Sequence, residues 1–199
     1  MASLADYLGQ RSPRSLLDAA EALSEERLDG RLFATLSPRL RMVASGPDAG
    51  DDYRLTALGA DGSGGEGAFD RSGVGELLRQ AREAHALTVV DCGSLQREVE
   101  RDVVRSASHV VWTARGDGIG ELRAATTLAH FGGINRGERV LAVRPAGRRE
   151  RVSTRRWLRI ADVAGARLVV VPYLDELARQ LDRAPAASAA IDGLVATLR

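Results

Sequence analysis

The chain has 199 residues, of which 44% are hydrophobic and 28% are charged, and its formal net charge is +1. This length suffices for one domain with a real core, and the near-neutral charge singles out no class of partner. The single cysteine, Cys92, excludes an intrachain disulfide and fits a reducing compartment. We expect a cytoplasmic protein without a signal peptide or membrane span, because no basic start with an apolar run and no long apolar stretch occurs.

The basic residues have an unusual composition. The sequence contains no lysine, so all 28 basic residues are arginine. A step that needs a primary amine, whether a Schiff base or a phosphate-binding lysine, therefore has no side chain to use among these residues.

The first third of the chain combines helical patterns with an irregular stretch. Apolar residues at helical spacing predict helices over residues 2–33, and the same spacing continues to Leu36. A short apolar run at residues 40–44 then predicts a strand that ends before Gly46-Pro47. Glycines and aspartates dominate residues 45–75, so we expect a flexible loop there.

From Gly75 onward, strand and helix patterns alternate. The predicted strands cover residues 87–91, 109–113, 140–143 and 168–171. The predicted helices cover a segment that ends near His85 and residues 99–104, 119–131, 153–163, 174–181 and 186–198. This alternation predicts an α/β fold of three layers, with helices on both faces of a mostly parallel sheet. Ligands bind such sheets beyond the carboxyl ends of the strands, so we expect a site near Asp91, Arg115 and Pro172.

Two phrases in the middle of the chain carry a family resemblance. A helix leads into an apolar run that ends in Asp91-Cys92-Gly93, and Ala107-Ser108-His109-Val110-Val111 follows after another helix. Residues 76–131 thereby resemble the central part of ParA/MinD-type ATPases, including the CpaE/TadZ branch, in which the first phrase is the Walker B segment. Softer similarity at residues 3–8, 38–47 and 171–178 extends the resemblance over most of the chain. It implies a P-loop-NTPase or Rossmann-like fold, with residues 1–199 forming a single domain.

The departures from this family concern its phosphate-binding loop. The family begins with a strand and a Gly-x-Gly-Gly-x-Gly-Lys-[Ser/Thr] loop, which would precede Met1 here. That loop grips triphosphate with its backbone N–H groups and lysine, while its hydroxyl holds magnesium. Gly73-Val74-Gly75-Glu76 echoes the loop but has Glu in place of Lys, so a helix start is the favoured interpretation. Arg144-Pro145 follows the strand after which the family often has an adenine-reading Asn. We therefore expect no ATPase activity and no cofactor.

Asp91 and Gly93 are the candidates for a nucleotide or magnesium site. A Walker B carboxylate binds magnesium-coordinated water, and Asp91 would take this role. Without the phosphate loop, we favour the alternative that Asp91 caps the segment that follows it. We expect no metal site elsewhere, because the three histidines and the aspartates of residues 48–52 lack ligand spacing.

An arginine cluster is the second candidate site. Residues 136–159 contain nine arginines against Glu138 and Glu150, a local charge of +7. Arginines on one surface attract phosphates and release counterions. ParA-like proteins hold DNA with basic residues in their later half, so the resemblance also implies DNA or polyanion binding. The alternatives are a solvated helix face or contact with the chain's own acidic loop. We expect Trp157, within the cluster, to pack in the core. The candidate binding residues are Arg144, Arg148, Arg149, Arg151, Arg155, Arg156 and Arg159.

Three functional hypotheses follow, in order of preference. The first is a degenerate ParA/MinD-like protein that hydrolyses no ATP and acts in positioning, assembly or septum regulation, through a protein partner or a second copy. The second is the remainder of an active partitioning or MinD-like ATPase, with ATP and magnesium bound through a P-loop that lies upstream or on a partner. The third is a DNA-binding module that uses the arginine cluster.

Overall fold

A computed structural model describes residues 73–95, 97–148, 150–171 and 173, and it describes the backbone alone at residues 34–37 and 40–42. The chain divides into two compact units, residues 1–103 and residues 104–199. The single domain expected over residues 1–199 stays a prediction. The predicted helices at residues 2–33, 174–181 and 186–198, and the predicted loop as far as residue 72, lie outside the described residues.

The first unit begins, in its described part, with a small antiparallel sheet. Strands β1 (Ala34–Ser37) and β2 (Leu40–Met42) pair with Ala34 opposite Met42, and the register shifts between Thr35 and Ser37. The helical spacing expected to reach Leu36 is therefore wrong. Only two residues separate the strands, and so short a link joins antiparallel neighbours. The predicted strand at residues 40–44 is confirmed over β2.

Helix α1 (Gly73–Ala84) and helix α2 (Glu98–Ser106) follow in the first unit, whose boundary falls within α2. Val74 and Leu78 lie one helical turn apart and pack with Val103 in a small buried cluster, against which Cys92 and Val99 also pack. Val74 belongs to the first turn of α1, and its burial holds this turn against the rest of the cluster. Gly73-Val74-Gly75-Glu76 is thus a helix start and not a phosphate loop, as favoured, and the irregular stretch expected up to residue 75 ends earlier.

The segment between α1 and α2 differs from its prediction. Residues 87–91 were expected to form a buried strand, but they form no regular strand, and Leu87 and Val89 are 76% and 82% exposed. β-branched residues favour strands only where a neighbouring strand and a covering layer exist. No described residue pairs with this segment in a ladder. Its apolar character therefore does not by itself produce a strand.

The second unit contains a parallel sheet of three strands. β3 (His109–Arg115), β4 (Glu138–Arg144) and β5 (Arg167–Val170) lie side by side in that order, with Val111 opposite Val140 and Leu141 opposite Leu168. Helix α3 (Gly118–Phe131) connects β3 to β4, and helix α4 (Thr154–Val163) connects β4 to β5. The strands and helices predicted over this part of the chain are confirmed.

Both connecting helices cover the same face of this sheet. Leu141 and Val143 of β4 are 1% and 0% exposed, and they share a buried cluster with Leu128 of α3 and with Trp157 of α4. Trp157, at 1% exposed, thus lies in the core as expected. On the opposite face, Val140 and Ala142 are also buried. Strand residues alternate between faces, so the sheet is covered on both sides, as the α/β fold requires.

The ends of the helices are fixed by hydrogen bonds. Asp117 is the N-cap of α3, and its side chain accepts a hydrogen bond from the Gly120 N–H. α4 ends in a Schellman motif, in which Gly165 has a φ of +58° and the N–H of Ala166 donates to the Ala161 carbonyl at 2.8 Å.

Asn135, which is 3% exposed, fixes the chain before β4. Its amide nitrogen lies 2.6 Å from the Val104 carbonyl oxygen and 2.7 Å from that of Ala107, and it also contacts the Arg105 carbonyl. These carbonyls belong to the last turn of α2 and to the residue just after it, where the helix itself supplies few N–H donors. Within the described residues, no helix has both the length and the apolar character needed to cross a membrane.

Candidate functional site

The carboxyl ends of β3, β4 and β5 form one edge of the sheet, where parallel α/β folds bind ligands. β3 ends at Arg115 and β4 at Arg144. The turn after β3 lies against the loop after β4, because the Gly116 N–H donates to the Arg144 carbonyl at 2.6 Å. A Cβ atom at Gly116 would lie 2.7 Å from Cγ2 of Val152, so this close approach requires glycine.

The Arg115 side chain is neutralised at this edge. Its guanidinium forms an ion pair with Oδ2 of Asp117, while Oδ1 of Asp117 accepts from the Gly120 N–H at 2.7 Å. The hydrogen bond from Arg115, followed by that from Gly120, lowers the pKa of Asp117 below its ordinary value. Asp117 in turn raises the pKa of Arg115. Arg115 therefore stabilises the start of α3.

Arg144 lies beside an aromatic ring. The central carbon of its guanidinium is 5.4 Å from the ring centroid of Tyr173, which is a cation–π distance. β5 joins the same edge, since the Val171 N–H donates to the Val143 carbonyl at 2.9 Å. Pro172, which was also expected here, lies outside the described residues.

Asp91 belongs to the first unit, whereas Arg115 and Arg144 belong to the second. Its Oδ1 atom accepts a hydrogen bond from the Gly93 N–H at 3.0 Å, and Gly93 has a φ of +55°. The carboxylate is exposed and closes a local turn of the kind that Asp side chains form with the backbone two residues later. Its assignment to a magnesium or nucleotide site stays a prediction.

Cys92, between these two residues, is unsuited to nucleophilic chemistry. Burial, followed by the nearby charges of Glu100 and Asp91, raises the pKa of its thiol to about 11. A thiol with so high a pKa is almost fully protonated near neutral pH and reacts slowly. Within the described residues, no group of three histidine, cysteine, aspartate or glutamate side chains could hold a metal ion.

The arginine cluster covers the end of β4, the following loop and α4. Six of the seven candidate residues are described, and all six are exposed; Arg149 lies outside the described residues. Arg156 Nη1 is 3.7 Å from Glu121 Oε2, so one of the six has an acidic neighbour on α3. The exposed arginines are Arg144, Arg148, Arg151, Arg155, Arg156 and Arg159.

The two remaining described arginines of residues 136–159 differ in their exposure to solvent. Arg136 is exposed, but Arg139 is half-buried, and its Nη1 donates to the Gly132 carbonyl at 2.5 Å. Arg139 therefore caps the end of α3 and adds little to the basic surface.

The two units have opposite net charges. Residues 1–103 carry 12 arginines and 18 acidic residues, a net charge of −6, whereas residues 104–199 carry 16 arginines and 9 acidic residues, a net charge of +7. The near-neutral total of the chain hides this difference. The second unit alone has the charge expected of a surface that attracts acidic partners.

A groove between α3 and α4 was not anticipated from the sequence. It has a volume of about 390 Å³, and Ala125, Ala129, Ile160 and Val163 provide most of its apolar lining. Glu121, Arg156 and Arg159 provide the charged lining. The signal in the sequence was the second apolar stripe of α3, on which Leu122, Ala125 and Ala129 recur at helical spacing.

Comparison with known proteins supports the fold alone. No protein-family model and no curated protein matches the sequence. Among solved structures, the ParA family ATPase from Chlorobium tepidum TLS matches with a TM-score of 0.69 at 16% sequence identity, over 98% of this chain and 80% of that one. Together with the parallel sheet and its covering helices, this match means that the chain has a ParA/MinD-like α/β fold of the P-loop NTPase type.

Proposed function

We propose that this chain is a ParA/MinD-like protein that does not hydrolyse ATP by itself and acts by associating with other proteins in positioning, assembly or regulation. The observation that carries the proposal is the absence of lysine from all 199 residues, combined with the ParA-like fold. Arginine does not replace the lysine of a phosphate loop, because that lysine supplies a compact ammonium group beside the backbone N–H cradle.

The geometry around Asp91 supports the same proposal. One carboxylate oxygen is engaged by the Gly93 N–H, which gives Asp91 a role in the local turn without any nucleotide. On the second unit, Arg144 ends β4 and lies against Tyr173, at the strand end where the family often has an asparagine that reads adenine.

Titration calorimetry with ATP and magnesium tests the proposal. We expect no heat of binding at millimolar nucleotide for the wild-type chain. Asp91→Ala and Asp162→Ala serve as the test and control variants, since both carboxylates are exposed and only Asp91 belongs to the Walker B-like phrase. Saturable heat that is lost in Asp91→Ala and kept in Asp162→Ala would contradict the proposal. It would support the alternative of an active ATPase whose phosphate loop is upstream or on a partner.

Non-specific DNA binding is the second candidate function, and the exposed arginines at the end of β4, in the following loop and on α4 favour it. In this case the affinity for a duplex of arbitrary sequence falls steeply with salt, with a slope that decreases by about one for each phosphate contact removed. Fluorescence anisotropy at several salt concentrations, with wild type and Arg155→Glu, measures this slope. Affinity that does not change with salt argues against the function.

A further inference from the structure

The groove between α3 and α4 has a composition that suits a particular kind of partner. Both α3 and α4 contribute aliphatic side chains to its lining. Leu128 of α3 is buried, whereas Val163 of α4 is 86% exposed. Small residues on α3, Ala125 and Ala129, leave room for another helix to approach closely. No described residue covers Val163, although it is a large apolar side chain on the unit's surface.

The charged residues that line the groove carry a net positive charge. Glu121 is 3.7 Å from Arg156, so these two charges offset each other. Arg159 also lines the groove, and no ion pair joins it to another described residue. Arg155 adds a further exposed positive charge on the same helix, in a unit of net charge +7.

The same lining argues against other classes of ligand. Small-molecule sites need several converging polar groups, whereas here the uncharged lining is purely aliphatic. Nucleic-acid interfaces are polar and strongly positive, so Ala125, Ala129, Ile160 and Val163 would contribute nothing to phosphate binding. A helix with one apolar face and acidic flanks matches both the lining and the charge.

We propose that the α3–α4 groove binds an amphipathic, acidic helix of a protein partner. The apolar side chains of the partner pack against Ala129 and Val163, and an acidic side chain on its flank pairs with Arg159. This inference rests on the proposal that the chain acts by protein association, and it assigns the surface and the chemistry of the partner.

The test uses a fluorescent amphipathic peptide of about 18 residues, long enough for a marginal helix, with leucines at helical spacing and glutamates on the flanks. We expect saturable binding to the full chain by anisotropy. Two comparison peptides, one with lysines in place of the glutamates and one with a scrambled order, should bind at least about tenfold more weakly, as expected for loss of a close charge pair or of the apolar face.

Three variants at exposed positions locate the binding surface. Ala129→Gln fills the groove without changing charge, and Arg159→Glu reverses a charge that lines it. Each should weaken the acidic peptide by about tenfold or more. Arg123→Glu makes the same charge change at an exposed position of α3 outside the groove lining, and its effect should stay within about threefold, a rim-charge effect. Circular dichroism of each variant confirms that the fold is intact.

Several outcomes would overturn the inference. These are no binding of the acidic peptide, equal binding of the lysine peptide, or equal losses in Arg123→Glu and Arg159→Glu with none in Ala129→Gln. If the last pattern is seen with a DNA duplex or with anionic vesicles, the surface is an electrostatic one for nucleic acid or lipid. The calorimetry with ATP is independent of the groove, so failure of the proposed function and failure of this inference are distinguishable.

Discussion

Two apolar runs of this chain, residues 87–91 in the first unit and β4 in the second, have similar composition but different structures. Val89 is 82% exposed in a segment without regular structure, whereas Val143 is 0% exposed at the centre of a parallel sheet. β4 has a strand on each side and two helices over one face, and residues 87–91 have no such neighbours among the described residues. β-branched residues thus favour a strand, but a strand forms only where a neighbouring strand pairs with the segment and another layer covers it.

The two units also differ in what stabilises their helices. α4 is held by buried contacts of Trp157 and Ala161 with the sheet. Among the described residues, α1 contributes Val74 and Leu78 to a smaller buried cluster, and its exposed face carries ion pairs, in which Arg79 lies 2.5 Å from both Glu76 and Glu83. Buried packing is worth more than exposed ion pairs, so the contacts of Trp157 and Ala161 should contribute more to stability than the surface pairs of α1.

A pair of equal truncations tests this comparison most directly. Val143→Ala should lower the free energy of unfolding by about 2–3 kcal/mol, because it leaves a cavity beside Leu141 and Trp157. Val89→Ala removes the same atoms from an exposed position and should change it by less than about 0.5 kcal/mol. Urea unfolding followed by circular dichroism measures both. An equal cost for Val89→Ala would mean that residues 87–91 are packed as a strand, and the comparison would fail.

Close packing in the second unit should also extend to its turns. A Cβ atom at Gly120 would overlap the carbonyl oxygen of Arg115, so Gly120→Ala should destabilise the chain by about 1–3 kcal/mol. Gly118 begins the same helix, and a Cβ atom there meets nothing within 4 Å. Gly118→Ala should therefore be neutral or stabilising by up to about 1 kcal/mol. Thermal unfolding of the two variants distinguishes them, and equal losses would contradict the tight turn.

The smallest expected effect concerns the surface of α1. Hydrogen bonds from Arg79 and then from Gln80 lower the pKa of Glu76 to about 2 from its ordinary value of 4.5. Because the folded pKa is the lower one, this stabilisation is present above pH 4.5 and is lost as the pH falls toward 2. Carbon-13 NMR titration of the Glu76 carboxyl should find the low midpoint, and Arg79→Gln should raise it. Arg82→Gln, on the same helix, should leave it unchanged; a midpoint near 4.5 in the wild type would show that the ion pair does not form in solution.

The sequence predicted the second unit best. Runs such as residues 140–143 and the spacing of Trp157 and Ala161 carry both the type and the approximate bounds of their elements, because local pattern and tertiary packing agree there. The pattern was misleading at Leu36 and at residues 87–91. At those positions the outcome depends on which strand lies alongside, and a single sequence does not state that.

The candidate site was predictable in composition but not in geometry. The arginines of residues 144–159 are visible in the sequence, yet their partners are not. Arg156 approaches Glu121 from a different helix, and Arg139 contacts the Gly132 carbonyl at the end of α3. The groove between α3 and α4 likewise exists only once both helices lie on the same face of the sheet.

The central position of β4 has a consequence for how the second unit opens. Its backbone is bonded to β3 on one side and to β5 on the other, and Val140, Leu141 and Val143 are at most 1% exposed. Separation of one edge strand frees only the β4 amides that donate to it, so the full set exchanges with solvent water only when β4 loses both neighbours. The deuterium uptake of β4 therefore reports the global unfolding of this unit, whereas residues 87–91 should exchange almost at once.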